Sequence, residues 1–167
     1  MNQGNVKPLS CSHTLLEQMK MKTSGLKRIV LLCLSLLWIG SMSAGEAAWH
    51  EDYAEALQLA KAQDKKVLVN FTGSDWCGWC IKLDGEIFSK EAFIEYANEN
   101  LILVKLDFPR KKEQSDEIRT QNRKLMGEYG VRGFPTVMVL NPEGEKIGRL
   151  GYMRGGPDGF VKAVKEL

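Results

Sequence analysis

Apolar and polar residues alternate along this 167-residue chain with two periods, one helical and one extended. From residue 49 to 62, Trp49, Tyr53, Ala56, Leu57 and Ala60 recur at helical spacing. Glu51, Asp52 and Glu55 come early and Lys61 late, as the helix dipole prefers, so a helix is predicted there. Val67-Leu68-Val69-Asn70-Phe71 has no helical period and is mostly β-branched or aromatic, which fits a strand buried on both faces. Thr72-Gly73-Ser74-Asp75 turns the chain into a helix running through Lys82, Leu83 and Ile87, with a soft end at Gly85. Ser89 is placed to cap a further helix over 90–98, and 101–107 forms a second buried strand. A helix over 117–129 carries a thin stripe of Ile118, Leu125, Met126 and Tyr129. Strands at 136–140 and 145–150 flank the turn Asn141-Pro142-Glu143-Gly144, and a short helix over 160–167 closes the chain. The predicted class is α/β, a central mixed sheet flanked by helices.

Charge separates the first 45 residues from the remainder. Formal net charge is +2, yet Lys7, Lys20, Lys22, Lys27 and Arg28 face only Glu17 in that first part, leaving 18 basic and 20 acidic residues beyond it. The near-neutral remainder has no electrostatic footprint for nucleic acid. Lys20 to Arg28 precede the apolar run 29–39, and small residues follow at 40–45, the layout of a secretory signal peptide. The run is too short for a spanning helix, although an uncleaved anchor is the other reading. Residues 1–45 are therefore read as a leader, with Met19 or Met21 as alternative starts, and 46–167 as one domain. Cleavage after Ser43, Gly45 or Ala47 fits a small-residue rule equally well. An exported protein results, periplasmic or secreted, with no membrane association once the leader is removed.

Loss of the leader takes Cys11 and Cys33 with it and leaves two thiols, Cys77 and Cys80. They stand in Trp76-Cys77-Gly78-Trp79-Cys80, where only a tight turn such as the first turn of a helix brings two such thiols together. That position would set Cys77 among unsatisfied amide N–H groups that favour a thiolate. A zinc site needs four ligands, and the domain offers the two cysteines and distant His50, so no metal is expected. A purely structural disulfide closing so short a loop would stabilise weakly. Pro135, at the start of a strand, reads by itself as a turn or edge device. The charge run from Arg110 to Asp116 reads as a solvated loop or as a partner-docking surface.

The buried strand 67–71, the Trp-Cys-Gly-Trp-Cys motif, and Gly133-Phe134-Pro135-Thr136 some 55 residues later resemble the thioredoxin superfamily. The likeness spans residues 49–167 and is nearest the exported bacterial thioredoxin-like disulfide oxidoreductases. These include the C-terminal periplasmic domain of the membrane thiol electron transporter. The resemblance implies a thioredoxin-like fold and a redox-active Cys77–Cys80 pair, with Cys77 as nucleophile, more exposed, and Cys80 as the deeper resolving thiol. It also implies a cis Pro135, with Trp76, Gly78, Trp79, Phe134 and Pro135 forming the substrate surface.

Two departures qualify that likeness. The family commonly holds a buried Asp in the first core strand, where this chain has Asn70, which cannot titrate. Asp84, one helical turn beyond Cys80, is the candidate to move the proton instead. The Gly78-Trp79 spacer carries no charge and leans toward a reductant. No Gly-rich dinucleotide loop follows any strand, so no cofactor is expected. The expected function is thiol–disulfide exchange on exported proteins, as a reductase or isomerase. The alternatives are a substrate-capturing module with secondary redox activity, or a dithiol oxidase. Partners would be disulfide-containing clients and a thiol electron donor, with the protein itself a monomer.

Overall fold

A computed structural model describes residues 46–167, and the leader with its alternative starts lies outside the described residues. Strand β1 (Trp49–His50) is followed by α1 (Tyr53–Gln63), β2 (Lys66–Thr72) and α2 (Gly78–Leu83). A π-helical turn (Asp84–Phe88) continues α2, and α3 (Glu91–Asn100), β3 (Leu101–Asp107) and α4 (Asp116–Glu128) come next. Strands β4 (Thr136–Leu140) and β5 (Lys146–Leu150) and helix α5 (Gly156–Lys165) complete the domain.

The sheet order is β1-β3-β2-β4-β5. Strand β3 runs parallel to β1 and β2, whereas β4 is antiparallel to both β2 and β5. Alternation along the strands sorts the core into two halves. Val67, Val69 and Phe71 face Ala56 and Ala60 of α1 and Leu125 of α4. Leu68, Leu103, Val137 and Val139 face the opposite half with Leu83, Phe88, Phe93 and Phe160. Helices on both faces explain why β2 and β4 read as continuous apolar runs.

The structure corrects several predicted boundaries. Trp49 and His50 form a strand paired with Leu103 and Val104, not the start of a helix. The Asp52 side chain caps α1 by accepting the Glu55 N–H, and its own extended backbone bars helix before it. Trp49 is apolar for a different reason than helical period, since its ring packs 5.2 Å from that of Phe88. The soft helix end at Gly85 is a π turn, with the Ser89 N–H reaching Asp84 O at 2.9 Å. Ser89 does not cap the next helix, because its hydroxyl donates backward to Gly85 O at 3.0 Å. The last helix starts at Gly156 rather than 160, since Gly155 at φ 112° turns the chain and Pro157 suits a first helical turn.

Tyr53 and Tyr129 tie α1 to the end of α4 through hydroxyls 2.5 Å apart. Burial, then the hydrogen bond to Tyr129, pushes the Tyr53 phenol well above its ordinary value. A raised folded-state pKa contributes stability below the ordinary phenol value near 10, lost as pH climbs through the folded value. Urea unfolding should therefore show stability falling above about pH 10, and a shallower fall in Tyr53→Phe. Phe160 is fully buried against Phe88 and Phe93. Phe160→Ala should lower the unfolding free energy by about 3–5 kcal/mol in the same titration.

Candidate active site

Strands β2 and β3 pair in register from Lys66↔Leu101 to Thr72↔Asp107, so both end at one level and their following loops meet there. The loop after β2 carries the cysteine motif. Gly73 O accepts the Cys77 N–H at 2.9 Å, and a Cβ on Gly73 would stand 2.5 Å from the Trp76 indole, so only glycine lets that ring fold back. Cys77 and Cys80 are joined as a disulfide with Cα atoms 5.2 Å apart. Cys77 is the N-cap of α2, its Sγ accepting the Cys80 N–H at 3.2 Å. The sulfur that would be freed on reduction thus already sits at a helix N-terminus.

Cys77 is 8% exposed and Cys80 3%, a narrower contrast than the nucleophile and resolving roles imply. What lies open is the rim. Trp79 is 58% exposed and Trp76 36%, large apolar surfaces beside an otherwise shielded disulfide. The Trp76 ring centroid is 6.0 Å from that of Phe134, whose own ring lies 5.0 Å from Phe108. The Phe134–Pro135 peptide is cis, as the resemblance implied. On the other side Trp79 packs 5.2 Å from Tyr152, whose hydroxyl donates to Glu86 at 2.6 Å. Lys82 Nζ lies over both rings, at 5.4 and 5.2 Å. Gly78, between the two cysteines, is exposed, and nothing lies within 4 Å of where a Cβ on it would stand.

Behind the disulfide is a hollow of about 110 Å³ lined by Asn70, Thr72, Cys80, Asp84 and Lys105, with Ser74 and Ile81. Asp84 is itself exposed, yet it shares this hollow with Cys80, as its position one turn on predicted. Asn70 is buried, and its Oδ1 has no hydrogen-bond partner among the described residues. Lys105, which the sequence analysis does not single out, is paired with Asn70 across β2 and β3 and lines the same hollow, with its ammonium 5.7 Å from the Trp49 ring centroid. Its signal was available: a lone charge in the otherwise apolar strand 101–106.

Three consecutive residues before Cys77 are bonded to the end of β3 and the loop that follows it. Ser74 donates to the Asp107 carboxylate from its N–H at 2.9 Å and its hydroxyl at 2.5 Å. The Asp75 carboxylate accepts the amide N–H groups of Arg110, Lys111 and Lys112 at 3.0, 2.7 and 3.1 Å. The Trp76 indole N–H donates to Phe108 O at 2.8 Å. The Arg110 amide chiefly, with the other two, holds the Asp75 carboxyl below its ordinary range.

A disulfide at a helix start follows a buried parallel strand, and the peptide before Pro135, at the entrance to β4, is cis. The sequence signature of the thioredoxin-like domain matches residues 53–166. The chain belongs to the thioredoxin-like family. It is 40% identical to the disulfide bond reductase DsbH of Chlamydia pneumoniae over 124 residues, 74% of either chain. It is 32% identical over 139 residues to the thioredoxin-related protein DsbJ of Chlamydia pneumoniae, covering 78% of this chain and 40% of that relative. A solved DsbH oxidoreductase superposes with a TM-score of 0.71 at 38% identity, over 76% of this chain and 88% of that one. The domain is a thiol–disulfide oxidoreductase with a thioredoxin-like fold, as its motifs led one to expect.

Asp75 has a depressed pKa, so its amide contacts persist above the ordinary carboxyl value near 4 and are lost as pH falls through the folded value. Hydrogen-exchange protection at Arg110, Lys111 and Lys112 should follow that course. In Asp75→Ala those amides should exchange roughly 10- to 100-fold faster at neutral pH, with β2 and β3 unaffected.

Proposed function

We propose that this protein reduces disulfides in exported proteins, with Cys77 as the attacking thiolate and Cys80 as the resolving thiol. The observation that carries the reading is the placement of Cys77 as the cap of α2 between two exposed tryptophans. The 40% identity to a protein named a disulfide bond reductase supports the direction. So does the Gly78-Trp79 spacer, which adds no charge to stabilise a thiolate.

In the reduced protein, the Cys77 thiolate attacks one sulfur of a client disulfide. A Cys77–client bond forms, and the other client sulfur leaves as thiolate. Cys80 then loses its proton and attacks Cys77 Sγ, closing the Cys77–Cys80 bond and expelling the second client sulfur with the pair's two electrons. Asp84 is assigned the proton from Cys80, since its carboxylate and the thiol share one hollow in which Asn70 cannot titrate. The hollow has room for water between them. Trp76, Gly78, Trp79, Phe134 and Pro135 form the face against which the client chain lies, with the Phe134 backbone free to pair with it. A separate thiol protein returns the electrons.

Residues 1–45 act as an export leader in this reading and direct the domain to an oxidising compartment, the periplasm of a bacterium. Ala47 is buried in the core with Phe88 and Phe93, which favours cleavage after Ser43 or Gly45 over cleavage after Ala47. No helix among the described residues is long and apolar enough to cross a membrane.

The reduction potential of the Cys77–Cys80 pair against glutathione tests the direction. A value near −270 mV is expected, whereas one near −120 mV would make the protein an oxidase. In insulin reduction, Cys80→Ser should accumulate mixed disulfides and Cys77→Ser should form none. Mixed disulfides that persist in the wild type without turnover would instead identify a capturing module. Asp84→Asn should slow release of the mixed disulfide by roughly 10-fold or more and leave the first attack nearly intact, within the span of general-base effects. Equal rates in both steps would remove Asp84 from the mechanism.

A further inference from the structure

The exchange reaction makes no use of the loop that Asp75 clamps, yet that loop is built with more care than a solvated charge run needs. Its three successive amides converge on one carboxylate two residues before Cys77. Arg110, held there, lays its guanidinium 3.7 Å from the centroid of the Trp76 ring. Arg110, Lys111 and Lys112 are all exposed, and none is paired with a carboxylate in the salt bridges among the described residues. Arg110 and Lys112 also border an open hollow of about 460 Å³ that continues to Gln114 and to Arg119, whose guanidinium is paired with Asp116. Glu113 is the carboxylate on that wall, and the one nearest Cys77 in sequence, Asp75, is occupied by the amides. The result is a cationic ledge joined to the active-site rim through a single stacked ring.

We propose that this ledge is a second docking subsite, which takes an acidic stretch of polypeptide flanking the client's disulfide. The inference rests on the reading that disulfide-bearing polypeptides are the substrates, and adds which of them are preferred. Charge complementarity supplies the attraction, and the clamp supplies order in advance, so less freedom is lost when the client binds. Asp75 acts as a positioning residue: it touches neither sulfur nor client, and sets where the cations stand.

Three disulfide-linked peptides of one core sequence, flanked by four Glu, four Gln or four Lys, provide the test on the whole chain. At low ionic strength kcat/KM should be roughly 10-fold higher for the Glu than for the Gln peptide, with the Lys peptide lowest; the preference should shrink severalfold at 0.3 M salt. In the triple variant Arg110→Gln, Lys111→Gln, Lys112→Gln the Glu-to-Gln ratio should fall toward one. Asp75→Ala distinguishes placement from bulk charge. Removing an acid raises net charge and would by itself strengthen the preference, whereas losing the clamp weakens it; a weaker preference is expected. Equal rates for the three peptides, or a preference that survives the triple variant, would overturn the subsite.

A titration separates this from failure of the reductase reading. Cysteine-free Glu, Gln and Lys peptides added to the oxidised protein should shift the amide resonances of residues 110–112 only with the Glu peptide. Absence of those shifts overturns the subsite even if disulfides are reduced. Their presence upholds it even if the protein turns none over.

Discussion

Seven residues of β2 lie in parallel register with seven of β3, and the chemistry depends on that alignment. Parallel strands present their C-terminal ends together, so the loops leaving them share one edge of the sheet. Here one loop holds the cysteines and the other holds Phe108 and the basic run. Because Thr72 is level with Asp107, Ser74 finds its partner in that last residue of β3, and Asp75 and Trp76 find theirs in the second loop. A slip of one residue would turn Asn70 and Thr72 to the other face and part every one of those bonds.

The disulfide is correspondingly shielded by what surrounds it. Its sulfurs are largely covered, while Trp76 and Trp79 stand exposed on either side. Two aromatic walls result, one of Trp76, Phe134 and Phe108, the other of Trp79 and Tyr152 capped by Lys82. Exposed rings with few rotamers give a polypeptide contact area at low entropic cost. Behind the sulfurs the character reverses, with a small polar hollow where Asn70, Asp84 and Lys105 gather around Cys80.

Much of this was legible in the sequence. The central strands were read from their apolar runs, because burial on both faces leaves a signal that needs no partner to interpret. The cysteine pair was read from spacing, and Phe134–Pro135 from the resemblance alone. The misread boundaries have a common cause. Asp52 has the residue type of a first-turn acid and is the cap, and Ser89 has that of a cap while its hydroxyl turns back to Gly85. Polar residues at helix ends have several local partners of similar energy, and packing chooses among them. Trp49 misled in another way, since a ring at helical spacing is apolar whether it lies on a helix or a strand.

Four of the five strands, the approximate helices, the pair Cys77 and Cys80, and the lack of a titratable group at position 70 are legible in the sequence alone. These are local facts, written in period, spacing and residue type. Only the tertiary structure decided which distant residues act together: Lys105 with Asn70, Tyr152 with Trp79, Asp75 with the amides of residues 110–112. Each pairing joins residues more than 30 positions apart in the chain. What brings them together is the sheet order and its register, which arise from how two half-cores pack, not from any one stretch.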